Sequence, residues 1–168
     1  MTGTVEVVDR GALLTFAFAD VLKYHGPRSP GGAAHAFKVL ERALPVLDPH
    51  GPCERRELIV ETAFEGPGAR DAFELITRAV TGDRFRIDAA LARPERGRAL
   101  ERFVFTLEHW GRTATLLLRE GFVDDEFVDL ARTPSRDAAQ EARLDVLKHR
   151  LAARVMAAPA DRVLEIEA

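Results

Sequence analysis

Residues 101–119, ERFVFTLEHWGRTATLLLR, constrain the fold more than any other stretch of the chain. Phe103, Phe105 and Leu107 alternate with polar neighbours, the period of a strand with one buried face. Gly111 then supplies a turn into a second apolar run, so the segment reads as a β-hairpin. A lone hairpin is marginal in water, and the remaining sequence must bring more strands and a cover for the apolar face.

That cover is helical. Leu14, Phe18, Val21 and Leu22 predict a helix over Ala12–Tyr24, stopped by His25-Gly26-Pro27. A second helix is expected from Ser29-Pro30 through Phe37, Leu40, Leu44 and Leu47, until the sequence DPHGP ends it. RELIVET reads as a buried strand, EGPG as a tight turn, and Ala72, Phe73, Ile76, Ala79 and Val80 as the apolar face of a third helix. DRFRIDA predicts a short strand, and DDEFVDLART a helix with acids in its first turn, favourable against the helix dipole. Leu144, Leu147, Leu151 and Val155 mark a longer helix over Ser135–Ala157. TVEVV at the start predicts a short strand or arm, and DRVLEIEA a closing strand or extended tail. Helices and strands in this order predict a single α+β domain over residues 1–168, its small mixed, mostly antiparallel sheet packed by helices.

Composition narrows the function. The chain has 168 residues, 46% hydrophobic and 30% charged, as expected of one globular domain. A net charge of -3 gives no bulk attraction to nucleic acid or an anionic membrane. The basic runs RRE near Arg55 and RPERGR from Arg93 read as solvated faces or loops. The single cysteine, Cys53, excludes an internal disulfide and a cysteine-rich zinc site. No run of apolar residues reaches membrane-spanning length, and the N-terminus carries acids where a secretory signal has a basic region. A cytoplasmic location is the expectation.

Two glycine-rich loops hold the candidate chemistry. The first, HGPRSPGG, contributes His25, Arg28 and Ser29; the second, ETAFEGPGARDA, contributes Glu61, Arg70 and Asp71. Each runs into a predicted helix N-terminus, where free backbone N–H groups and the dipole favour an anion. Gly31, Gly32, Gly66 and Gly68 are positioned to let a ligand approach the backbone. His25 and Asp71 are expected to approach one another across a shared site. Ser29 also reads as a helix cap, His35 as a packed or surface histidine, and Cys53 as an unreactive thiol. His50 and His109 fall in predicted turns and receive no role.

The element order and these loops resemble the FmdE-like domain family of formylmethanofuran dehydrogenase. Its motif His-Gly-His-x-Cys-Pro-Gly is matched here by His25, Gly26, Pro30 and Gly31, with Pro27 and Ser29 in place of the second histidine and the cysteine. Its strand ending in Glu-Thr and later Asp-Ala pair are matched by Glu61, Thr62, Asp71 and Ala72. The resemblance spans residues 11–166 and implies an α+β fold and a homodimer. The family's metal site implies that His25, Glu61 and Asp71 could hold a divalent ion such as zinc, nickel or manganese. Without the thiols, that ion would have oxygen and imidazole ligands. The leading expectation is a pocket between the loops for a small anionic ligand or hard metal ion, with Arg28 and Arg70 as charge partners. The alternatives are a small hydrolase or transferase using His25 or Ser29, and an accessory interaction domain with a vestigial pocket.

Overall fold

The computed structural model describes residues 3–168. The first two residues of the domain expected over 1–168 lie outside the described residues. The chain opens with a hairpin of β1 (Thr4–Asp9) and β2 (Ala12–Ala17). Its two turn residues, Arg10 and Gly11, have φ of 52° and 91°, the left-handed pair that a type I′ hairpin turn requires. The helix expected from Ala12 therefore begins only at Phe18. Leu14, Phe16 and Phe18 satisfy a period of two as well as the helical spacing, and pairing Val7 with Leu14 and Val5 with Phe16 decides for strand. Helix α1 (Phe18–His25) starts where the Ala17 N–H donates to Asp20 Oδ2 at 2.9 Å. It stops at Gly26, whose φ of 91° carries its N–H back to the Leu22 carbonyl.

Helix α2 (Pro30–Leu47) is the centre of the molecule. Ala33, Ala34, Phe37, Leu40, Leu44 and Leu47 are all buried, and burial extends around most of its circumference because other elements surround it. On one side lies a sheet of β3 (Leu58–Thr62), β4 (Phe85–Ile87), β5 (Val104–His109), β6 (Arg112–Leu118) and β7 (Leu164–Ile166), in spatial order β4-β3-β5-β6-β7. Only β3 and β4 run parallel; helix α3 (Pro67–Thr77) is the crossover that such a pair needs. The fold is thus the expected α+β arrangement with a small mixed sheet. The inner sheet face carries Leu58, Val60, Phe105, Leu107, Leu116 and Leu118, all buried. Glu61, Thr106, Glu108 and Thr115 alternate onto the other face, where the hydroxyls of Thr106 and Thr115 bond at 2.9 Å.

Helices α4 (Asp125–Ala131), α5 (Ala138–Ala157) and the short α6 (Ala160–Val163) complete the chain before β7. Asp137 and Gln140 form a reciprocal capping box at the start of α5, with bonds of 2.8 and 2.9 Å. Leu144, Leu147, Leu151 and Val155 of α5 are buried as their spacing predicts. Arg55 corrects one expectation: it is buried, not solvated. Its Nε donates to the Ile76 carbonyl at 2.9 Å, while Arg84 Nη2 reaches the carbonyls of Thr77 and Arg78. Two guanidinium groups thereby satisfy the open C-terminal end of α3. Among the described residues no helix is long and apolar enough to cross a membrane.

Candidate functional site

The two glycine-rich loops do face each other. His25 at the end of α1 donates from Nδ1 to Asp71 Oδ2 at 2.7 Å, joining α1 to α3. The imidazole is nearly buried, its side chain 9% exposed, and the carboxylate stays partly open at 30%. With Nδ1 committed, Nε2 is left as the acceptor of the neutral ring.

The glycines serve a different purpose from the one expected of them. A β-carbon at Gly68 would lie 2.7 Å from the Ser29 carbonyl oxygen, 2.8 Å from the Ala33 nitrogen and 3.3 Å from His25 Nε2. Gly32 faces the Ala69 nitrogen and the Phe64 ring, Gly66 faces the same ring, and Gly31 faces Leu151. Protein atoms fill each of these approaches. At Gly68 and Gly32 glycine is required because the N-termini of α2 and α3 pack backbone against backbone.

The remaining loop residues separate. Arg28 and Arg70 are exposed and form no ion pair among the described residues. Glu61 lies on the outer face of the sheet, 3.6 Å from Arg86 Nη1, because strand alternation turns it away from Val60 and Thr62 and the helices they meet. It cannot join His25 and Asp71. Among the described residues no three His, Cys, Asp or Glu side chains converge on a point suited to a metal ion. His25 and Asp71 supply two donors that already bond each other, so the expected set does not fit a metal. Ser29 makes no capping bond with its side chain and no hydrogen bond to His25 among the described residues, so nothing there activates a serine nucleophile.

What the two loops do enclose is a cleft of about 340 Å³. One wall is Ser29, Gly31 and Gly32 at the start of α2, together with Glu65 to Gly68 at the start of α3. Neither helix start has a side-chain cap, so no side chain neutralises the positive end of either dipole. Phe64 and Phe103 stack with ring centroids 4.6 Å apart and give the cleft an aromatic surface. The facing wall is Phe127, Val128 and Ala131 of α4. Three cations line the cleft: Arg102, Arg132 and Lys148, against the single acid Glu65. Glu101 holds Arg132 at 3.1 Å, Lys148 stands 4.0 Å from Asp145, and Arg102 has no ion-pair partner among the described residues. Of the residues singled out from sequence, Ser29 and Gly31, Gly32, Gly66 and Gly68 line this cleft, whereas His25, Arg28, Arg70 and Asp71 do not. Phe64 was not among the residues singled out, although an aromatic among the glycines of the second loop is a local signal that could have found it.

The other singled-out residues are structural in their surroundings. His35 is packed, as expected, and burial holds its pKa down to about 3. His109 is no turn residue: it ends β5, is buried, and its Nε2 accepts the Glu54 N–H at 3.1 Å. Burial also lowers its pKa. Cys53 is buried against the Leu44 carbonyl, and desolvation pushes its thiol up to about 12, leaving it unreactive. Comparison with models of known protein families and with curated proteins finds no match to this chain.

Proposed function

We propose that this domain binds a small amphipathic anion in the cleft between its two glycine-rich loops. The observation that carries this reading is the meeting, in one cleft, of two uncapped helix starts and three cations with a stacked aromatic pair. Cations and uncapped helix starts suit a carboxylate or phosphate. The apolar lining suits a ring or chain attached to it, since ligand sites are mostly apolar with a few placed polar groups. Arg102 and Lys148 are the charge partners in this reading, in place of Arg28 and Arg70. The partial His-Gly and Glu-Thr motifs supply its family frame, that of a free-standing FmdE-like domain. The cytoplasmic homodimer belongs to the same frame.

Paired probes test the charge requirement. Calorimetric titration with 2-naphthoate and its neutral amide should show tighter binding of the acid. Arg102→Ala should weaken the acid by about fivefold, the share of one cation worth about 1 kcal/mol, and leave the amide unchanged. Equal affinities for acid and amide would refute an anion site.

A further inference from the structure

His35 is the one buried group in this region whose chemistry the packing leaves unmet. It is 1% exposed, and neither ring nitrogen makes a hydrogen bond of good geometry among the described residues, the Gly31 backbone one turn back being the polar group that acts on the ring. A neutral imidazole carries one donor and one acceptor, and burying either without a partner is destabilising because its hydrogen bond to water is lost and not replaced. A phenylalanine or leucine would fill the same space without that cost, so packing alone does not account for a histidine here.

Its position relates it to the cleft. Helical side chains lean toward the helix N-terminus, which directs His35 over the turn that holds Gly31 and Gly32, both cleft residues. Its ring packs against Phe103 with centroids 4.9 Å apart and planes inclined at 58°. Phe103 therefore meets the imidazole and also lines the cleft, with Phe64 stacked against it.

Resting on the cleft reading above, we infer that Phe103 turns aside for the ligand and that His35 hydrogen-bonds a polar group on its apolar body. The ligand class is then an aromatic acid bearing a neutral hydroxyl remote from its charge. A hydroxyl both donates and accepts, so it meets the imidazole in either tautomer. The acid stays with Arg102 and Lys148, the ring takes the place of the displaced aromatic surface, and His35 determines specificity.

The test compares 2-naphthoate with 6-hydroxy-2-naphthoate by calorimetry on the wild type, His35→Phe and His35→Gln. In the wild type the hydroxyl should tighten binding by about tenfold or more, the effect of one buried hydrogen bond. His35→Phe should bind the two probes with equal affinity; His35→Gln, which retains a donor and an acceptor, should recover part of the gain. The ¹⁵N resonances of the His35 ring should move with the hydroxylated probe and not with the plain one. Equal binding of the two probes by the wild type, or a hydroxyl gain that survives in His35→Phe, would overturn the inference while leaving the anion site standing. Failure of the wild type to bind 2-naphthoate at all would remove the cleft reading and this inference together. If His35→Phe does not fold, the wild-type probe pair and the ring resonances still decide.

Discussion

On one side of the cleft the starts of α2 and α3 approach so closely that Gly68 lies against two backbone atoms of its neighbour, and His25 and Asp71 lock α1 to the same place. On the other side α4 buries only Val128. Phe127 packs half-buried beside it, and ion pairs on the surface supply further ties: Glu126 with Arg143 at 2.7 Å, and Asp124 with Arg154 and Asp129 with Arg98, each at 3.1 Å. Close packing fixes position by excluded volume and is indifferent to salt. Exposed ion pairs contribute about 0–1 kcal/mol each and are screened within roughly 10 Å at 0.1 M salt. The cleft therefore has one wall set by shape and one set by charge, and the second is the one able to yield when a ligand enters.

The largest effect should come from filling the tight wall. In Gly68→Ala the new methyl meets the Ser29 carbonyl oxygen and the Ala33 nitrogen at 2.7 and 2.8 Å, and neither backbone atom can move alone. Overpacking of this kind costs about 1–3 kcal/mol. Chemical denaturation should show the loss as a lower midpoint. Gly51→Ala, where nothing lies within 4 Å of the added carbon, serves as the control and should change little. Equal effects at the two positions would mean that α2 and α3 are not pressed together as described.

A smaller effect, from the same wall, depends on pH. Burial depresses the folded-state pKa of His35 from 6.5 to about 3, so below pH 6.5 the unfolded chain binds a proton that the folded one refuses. The sign follows: the histidine's contribution is present above its unfolded pKa and is lost as pH falls. Between pH 7.5 and 5.5 the loss is about 1.4 kcal/mol. His109, also depressed by burial, adds to the same slope. Urea midpoints measured over that range should fall for the wild type, and His35→Phe should remove its share. A variant with the wild-type slope would show that His35 does not stay neutral in the fold.

These contrasts explain which parts of the molecule were legible beforehand. The β5–β6 hairpin, the buried stripe of α5 and the acidic start of α4 are each written in one local period, and each forms where expected. Ala12–Ala17 carries two periods at once, and only its partner β1 selects the strand. Glycines 31, 32, 66 and 68 look alike in sequence whether a ligand or the protein itself approaches them; a helix does at 31, 32 and 68, and the Phe64 ring at 66. Arg55 belongs to a charge run that looks solvated until the end of α3 is placed beside it. The cleft cations come from three distant segments, at positions 102, 132 and 148, and no local pattern joins them. Proximity of His25 and Asp71 was foreseeable from two loops at helix boundaries, but not its outcome, a direct bond in place of a ligand-bridged one.

The smallest effect on stability is expected at the charged wall, and it is the one that most sharply separates the two. Arg143 meets Glu126 through Nε at 2.7 Å and through Nη2 at 2.9 Å, a two-point contact between half-exposed side chains. Removing it in Arg143→Ala should leave the global denaturation midpoint almost unchanged, because exposed pairs contribute little to the folded state. Its local consequence should be larger than its global one. Helix α4 is anchored by Val128 and the half-buried Phe127 alone among its apolar side chains near the core, so losing one tie should raise hydrogen exchange across Asp125–Ala131 while the amides of α2 stay protected. Raising the salt concentration on the wild type should reproduce the pattern in weaker form, since it screens all three pairs together. Exchange that rises equally in α2 and α4 would show the two walls opening as one unit, and the division between a shape-set and a charge-set wall would fall.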